Sequence, residues 1–160
     1  LITLFPIATN LPGALTIVTR PQMLHDDIKT TRSAGVTTLI SLLEPDEAKR
    51  CGLEKEAEIC NSFDITFQNY PIRDMHLPEP AAFAAFAEQI AIRIRAGENV
   101  ALHCYASIGR SGMLTCAILG HFGYIGATAI AHTSKMRGQQ IPDTPQQVEF
   151  ITQIMEKPCL

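Results

Sequence analysis

The run Asn99-Val100-Ala101-Leu102-His103-Cys104-Tyr105-Ala106-Ser107-Ile108-Gly109-Arg110-Ser111-Gly112 constrains this chain more than any other stretch. Its first four residues read as a short buried strand, and Met113 to Leu119, directly after it, read as an apolar helix. Between them lies a strand-to-helix turn with a thiol at its start and a guanidinium at its end. Five residues separate Cys104 from Arg110. That is enough to curl the backbone into a ring whose N–H groups point inward and cradle an anion. The helix that begins near Arg110 adds its positive end. A doubly charged tetrahedral oxyanion fits such a cradle, with amides on its equatorial oxygens and the planar fork of Arg110 gripping two of them. The same positive surroundings favour Cys104 as a thiolate, the nucleophilic form of cysteine.

A strand that ends in an anion-binding turn suits a parallel sheet, where ligands sit beyond the carboxyl ends of the strands. The remaining segments agree. Asn10-Leu11-Pro12-Gly13 is a turn signal, and Ala14 to Val18 reads as an edge or first strand. Pro21 opens a helix to about Ser33, stopped by Gly35. Val36 to Leu43 is β-branched and apolar, a buried parallel strand. Glu44-Pro45-Asp46 starts a short helix ending near Gly52, and a second runs from about Leu53 to Ser62. Ile65 to Tyr70 reads as a strand, and Pro71 to Pro80, with three prolines, as loop. Pro80 to Ala96 is the clearest helix, because Phe83, Phe86, Ala87, Ile90 and Ile94 share one face and Gly97 stops it. Gly126 to Arg137 is expected to be helical and Gly138 to Asp143 loop. Thr144 to Glu156 forms a last helix, with Thr144 as N-cap before Pro145. Strands alternating with helices predict an α/β fold: a central, mostly parallel sheet of four or five strands with helices on both faces.

On the run His103-Cys104, five residues, Arg110-Ser111-Gly112, the chain resembles the cysteine-dependent protein tyrosine phosphatases. Its shortness is similar to the dual-specificity branch, in particular the kinase-associated phosphatase and Cdc14-like group. The resemblance implies a dual-specificity phosphatase-like fold and a single phosphatase domain over residues 1–160. It implies that Cys104 is the nucleophile and that Tyr105, Ala106, Ser107, Ile108 and Gly109 bind the phosphoryl group together with Arg110. Ser111 would support the departing thiolate. His103 would orient the loop and help keep the thiol ionised. Many family members carry glycine where Ser107 stands; if that position needs positive φ, serine there costs on the order of 1 kcal/mol.

A phosphate ester also needs its leaving oxygen protonated, which a carboxylic acid on a nearby loop can do. Asp74 follows a strand end and stands thirty positions before Cys104, a place similar to that of the acid in dual-specificity members. Glu79 precedes a helix and is read as stabilising its first turn, and His76 as a rim residue. Gln147 resembles the glutamine of a Gln-x-x-Phe pattern near the family's C-terminus, a region that helps position the hydrolytic water. A surface glutamine is the competing reading. Asp143 stands where other tyrosine phosphatases carry a further glutamine. Arg137 is expected to be an ordinary solvated arginine, with a role in orienting this segment as the alternative.

Composition narrows the setting. One hundred and sixty residues suit one domain, and 46% apolar with 18% charged residues describes a globular chain. A net charge of −3 argues against a broad nucleic-acid or membrane surface. Five cysteines without a Cys-x-x-Cys pair suggest neither a disulfide framework nor a zinc site. A reducing cytoplasm is expected, where a nucleophilic thiolate stays active. Cys51 or Cys60 would form a protective disulfide with Cys104 if the fold brought them close; neither is expected to, and Cys116 is expected to be inert. Leu1 to Ile7 is short, lacks a basic flank and contains Pro6, which makes a poor signal peptide. Met113 to Ala131 has the length of a membrane span, but Gly120, Gly123 and Gly126 divide it, and two buried helices are the expectation.

The expected function is hydrolysis of phosphotyrosine, and of phosphoserine or phosphothreonine, through a phosphocysteine intermediate. The partner is a phosphorylated protein or peptide, the chain is expected to act as a monomer, and the cradle makes a metal or cofactor unnecessary. The alternatives are an inactive phosphate-binding module, which Ser107 favours, and a phosphatase of phosphoinositides or RNA 5′-triphosphates. Phosphoinositide phosphatases often place lysines within the signature, and Tyr105 to Gly109 contain none.

Overall fold

A computed structural model describes residues 1–156 of the protein. Its five strands are β1 (Leu4–Ala8), β2 (Ala14–Val18), β3 (Thr38–Ser41), β4 (Thr66–Asn69) and β5 (Asn99–His103), joined in one sheet in the order β1-β2-β5-β3-β4. β2, β5, β3 and β4 run parallel, and β1 is antiparallel to β2. The signature strand β5 therefore lies in the middle of the mostly parallel sheet that the alternation predicts.

β1 is an addition to the strands read from the sequence. Pro6 speaks against a strand because it cannot donate to a ladder. The fold accommodates it by placing β1 at the sheet edge and shifting register between Pro6 and Ala8.

Among the described residues, seven helices surround the sheet: α1 (Leu24–Ser33), α2 (Pro45–Arg50), α3 (Glu56–Ser62), α4 (Pro80–Arg95), α5 (Gly109–Gly120), α6 (Gly126–Arg137) and α7 (Pro145–Glu156). α1 starts later than Pro21. The Asp27 carboxylate accepts the N–H groups of Gln22 and Met23 at 2.8 and 3.0 Å, and also that of Ile2 at 3.0 Å. These bonds hold the preceding turn against the N-terminal segment instead of letting it join the helix. α3 starts at Glu56 because the N–H of Leu53 closes the turn after α2 onto the Ala48 carbonyl at 2.8 Å.

Successive strand residues face opposite sides of the sheet. Ile40, Val100 and Leu102 pack with Phe83, Ile90 and Met113 under α4 to α7. Leu39 and Ala101 pack with Ile28 and Cys60 under α1 and α3. Burial on both faces explains why β5 reads as a continuous apolar run. The long uncharged stretch divides into α5 and α6, and no helix among the described residues is long and apolar enough to cross a membrane. α5 is buried continuously from Arg110 to Leu119, so it is apolar on every side for reasons of packing.

Candidate active site at the carboxyl end of the central strand

Cys104 follows β5 directly, and α5 begins at Gly109. The intervening loop carries Ser107 at φ 55°, the left-handed conformation that makes serine costly. The Ser107 hydroxyl donates to the carbonyl of Val18, the last residue of β2, at 2.6 Å. Outside the loop, Arg137 Nε donates to the Ser107 carbonyl at 3.1 Å and Arg137 Nη2 to the Ala106 carbonyl at 3.3 Å. Arg20 Nη1 donates to the Tyr105 carbonyl at 3.4 Å while its guanidinium lies over the Tyr105 ring at 4.0 Å. The Ile108 carbonyl accepts from the Gly112 N–H at 2.9 Å as the helix starts. In a trans peptide the carbonyl and the following N–H point opposite ways. Carbonyls engaged by these partners from Tyr105 to Ile108 leave the N–H groups of Ala106 to Gly109 on the opposite edge of their peptide planes, the arrangement an anion nest requires.

Arg110 is 2% exposed on the first turn of α5. Its Nη1 donates to Glu47 Oε2 and to the Ile72 carbonyl, both at 2.8 Å, and its Nη2 donates to Glu47 Oε1 at 2.7 Å. Asp74 Oδ1 lies 3.2 Å from the same Nη2. One edge of the fork is thus committed to Glu47, a residue the sequence reading missed. The available signal was an acid on the first turn of the helix after β3, the strand beside β5. The Arg110 hydrogen bond holds the Glu47 carboxyl below its ordinary pKa, against the opposing effect of burial. Burial opposes the Arg110 charge, but Glu47, the Cys104 charge and Asp74 outweigh it and raise its pKa.

His103 is wholly buried, with Nε2 2.6 Å from Glu56 Oε1 and Nδ1 3.2 Å from the Cys104 carbonyl. A carbonyl only accepts, so Nδ1 carries a proton. Glu56 on α3 is the second buried acid that the sequence reading did not identify.

The Asp74 loop is more open. Asp74 has a 60% exposed side chain, and Met75 beside it has φ 61°. His76 holds the turn by two contacts: its Nδ1 donates to the Asp74 carbonyl at 2.8 Å, and its backbone N–H donates to the Arg73 carbonyl at 3.1 Å. Glu79 caps α4 through the N–H groups of Ala81 and Ala82, and those bonds lower its pKa. The structure thus places Asp74 on the rim of the signature loop beside Arg110, and Glu79 at the start of the helix it was read to stabilise.

Gln147 and Arg137 both pack against the signature loop. Gln147 is buried, which excludes the competing reading of it as a surface glutamine. Its Oε1 accepts from the N–H groups of Asp143 and Thr144, and Thr144 caps the helix through the Gln147 N–H. Its amide lies so close to Gly109 that a Cβ there would approach Nε2 to 2.9 Å, and a Cβ at Gly112 would collide with Ile141. Arg137 is buried as well, not solvated, and it contacts the signature loop. Ser111 is fully buried, and its hydroxyl has no hydrogen-bond partner among the described residues.

The remaining cysteines separate by position. Cys60 packs in the core under α1 and α3, across the sheet from the core that Cys104 joins. Burial, with Glu56 nearby, pushes its pKa to about 12. Burial likewise pushes the Cys116 thiol to about 12. Cys51 lines a cavity of about 380 Å³ with Arg20, Arg50, Asp74 and Tyr105. Cys51, Cys60, Cys104 and Cys116 are all free thiols.

Residues 15–123 match the family described as "Polymorphic toxin system, DSP-PTPase phosphatase". The match spans more than half of the chain, and the chain belongs to that family, within the dual-specificity phosphatase superfamily. Cyclin-dependent kinase inhibitor 3 of Sus scrofa is 19% identical over 136 residues, covering 84% of this chain. The chain spans 64% of the length of that curated relative. A kinase-associated phosphatase with serine replacing its catalytic-site cysteine superposes with a TM-score of 0.85 at 16% identity, over 94% of this chain and 92% of that one. Tk-PTP in its active form superposes with a TM-score of 0.80 at 19% identity, over 96% and 98%. At these identities the likeness to the solved structures establishes the fold.

Proposed function

We propose that the protein hydrolyses phosphotyrosine, and also phosphoserine and phosphothreonine, in protein or peptide substrates through a phosphocysteine intermediate. The observation that carries this reading is the meeting of Asp74 with Arg110, 3.2 Å apart, at the loop that begins with Cys104. The Cys104 thiolate attacks phosphorus in line, forming the S–P bond as the ester P–O bond breaks. Asp74 delivers its proton to the leaving oxygen. Inward N–H groups and the Nε side of Arg110 hold the equatorial oxygens, whose charge spreads in the transition state. Water then attacks the phosphocysteine, Asp74 takes its proton, and the P–S bond breaks. Ser111, buried without a partner, donates to the departing thiolate. Gln147, packed against Gly109, helps place the water.

The positive charge comes from amides, a helix start and Arg110, so the reading needs no metal or cofactor. A protein substrate is favoured over a phosphoinositide because Tyr105 to Gly109 contain no lysine. The Ser107 hydroxyl bond to Val18 supports an intact loop over a degraded, phosphate-reading one. Action in a reducing compartment follows from the thiolate chemistry.

Phosphate release from p-nitrophenyl phosphate and a phosphopeptide panel tests the proposal. Wild-type protein should turn over both, and Cys104→Ser should lower turnover by more than about a thousandfold while still binding tungstate. Undiminished turnover in Cys104→Ser removes the nucleophile assignment. Peptide binding without release by wild-type protein makes the chain a binding module.

A further inference from the structure

We infer that Arg137 is a positioning residue that keeps the signature loop open as an anion cradle, by holding two of its carbonyl groups outward from behind. Arg137 ends α6 and is 8% exposed, yet among the described residues no carboxylate lies within ion-pair distance of it. A buried guanidinium without an acid is costly, so its other contacts must compensate. Its Nε and Nη2 hold the carbonyls of Ser107 and Ala106, and its flat face lies 4.1 Å from the Phe5 ring. Arg20 holds the preceding carbonyl, that of Tyr105. Three consecutive peptide groups are thus gripped from outside by guanidinium groups, two of them by Arg137.

The geometry matters because each of these peptide planes has two faces to offer the substrate. With the carbonyl outward, the next N–H meets the oxyanion. With the plane turned over, a carbonyl dipole opposes it. Ser107, at positive φ, is where the chain has most reason to relax, and there Arg137 and the hydroxyl bond to Val18 act together.

Charge adds to this. Glu47 balances Arg110, whereas Arg137 has no carboxylate partner among the described residues, and burial lowers its pKa against the opposing charge of Cys104. β1 also gains a purpose, since Phe5 on that strand forms the floor under Arg137.

The inference deepens the phosphatase reading, but binding of tungstate tests it without any turnover. Calorimetric titration with tungstate, alongside thermal unfolding, should compare wild-type protein with Arg137→Met, Arg137→Lys and Phe5→Leu. Arg137→Met should weaken tungstate binding by about thirtyfold or more. Lysine keeps the charge but lacks the planar fork. Arg137→Lys should therefore recover most of the melting temperature and still bind tungstate about fivefold more weakly than wild type. Phe5→Leu should keep the fold and weaken binding about two- to fivefold, and it decides the matter together with the lysine variant if Arg137→Met does not fold. Wild-type affinity in Arg137→Lys and Phe5→Leu overturns the inference. Wild-type tungstate binding without turnover sinks the phosphatase reading and leaves this one standing.

Discussion

The signature loop and the Asp74 loop both contain a non-glycine residue at positive φ, Ser107 at 55° and Met75 at 61°, and both reach Arg110. Their surroundings differ. Ser107 is fully buried, with its hydroxyl on Val18 and its carbonyl on Arg137. Met75 is 62% exposed, in a turn held by His76. Strain over-determined by buried partners fixes a conformation. Strain in an exposed turn, held by local bonds rather than by a core, leaves a segment that opens at lower cost. On the proposed mechanism, the buried loop holds an anion without reorganising and the exposed one carries the acid.

The largest test strikes the fixed side. Glu47→Ala leaves Arg110 buried without its bidentate partner, and should cost about 3–5 kcal/mol of stability, read by urea unfolding. Tungstate affinity should fall as well, because Arg110 is then free to swing toward Asp74. The pH dependence carries the same sign. Folding lowers the Glu47 pKa from its ordinary 4.5, so its contribution is complete above about pH 4.5 and is lost as pH falls through the folded value. The wild type should lose stability on that acid limb, and Glu47→Ala should show a shallower loss. An unchanged limb means that Glu47 is not what fixes Arg110.

On the mobile side, Asp74→Asn should damage chemistry and spare binding. The rate on an alkyl phosphate should fall by about 10²–10⁴, and less on p-nitrophenyl phosphate, whose leaving group needs little protonation. Tungstate should bind at least as tightly as to wild type, since a carboxylate 3.2 Å from Arg110 no longer competes with it. Weakened tungstate binding in Asp74→Asn would make the two loops one unit.

The same contrast explains what the sequence disclosed. The local parts were legible. Cys104 and Arg110 lie within one strand-to-helix turn, Pro80 to Arg95 repeats at helical spacing, and Glu79 precedes a helix it caps. Asp74 could be found because a loop after a strand end shares the rim with the signature. The supports were not legible, because they arrive through topology. Glu47 and Glu56 reach Arg110 and His103 across the sheet from separations of 63 and 47 residues. Arg137 reads as solvated until α6 is docked and Phe5 supplies its floor. β1 itself was hidden by Pro6, which only an edge position tolerates.

The smallest test compares glycine at the two strained positions. In both, glycine relieves about 1 kcal/mol of backbone strain and loses roughly 0.5–1 kcal/mol through the freer unfolded chain. At Met75 these terms nearly cancel, and Met75→Gly should shift stability by less than about 0.5 kcal/mol. At Ser107 the hydroxyl bond to Val18 is lost as well, and with it about 1 kcal/mol. Ser107→Gly should therefore be less stable than wild type. Ser107→Ala should be worse still, since it loses the bond and keeps the strain. Urea unfolding of the three variants gives the order directly. A Ser107→Gly protein as stable as wild type would mean that the hydroxyl does not hold the loop, and the contrast between a fixed and a mobile loop would then rest on Arg137 alone.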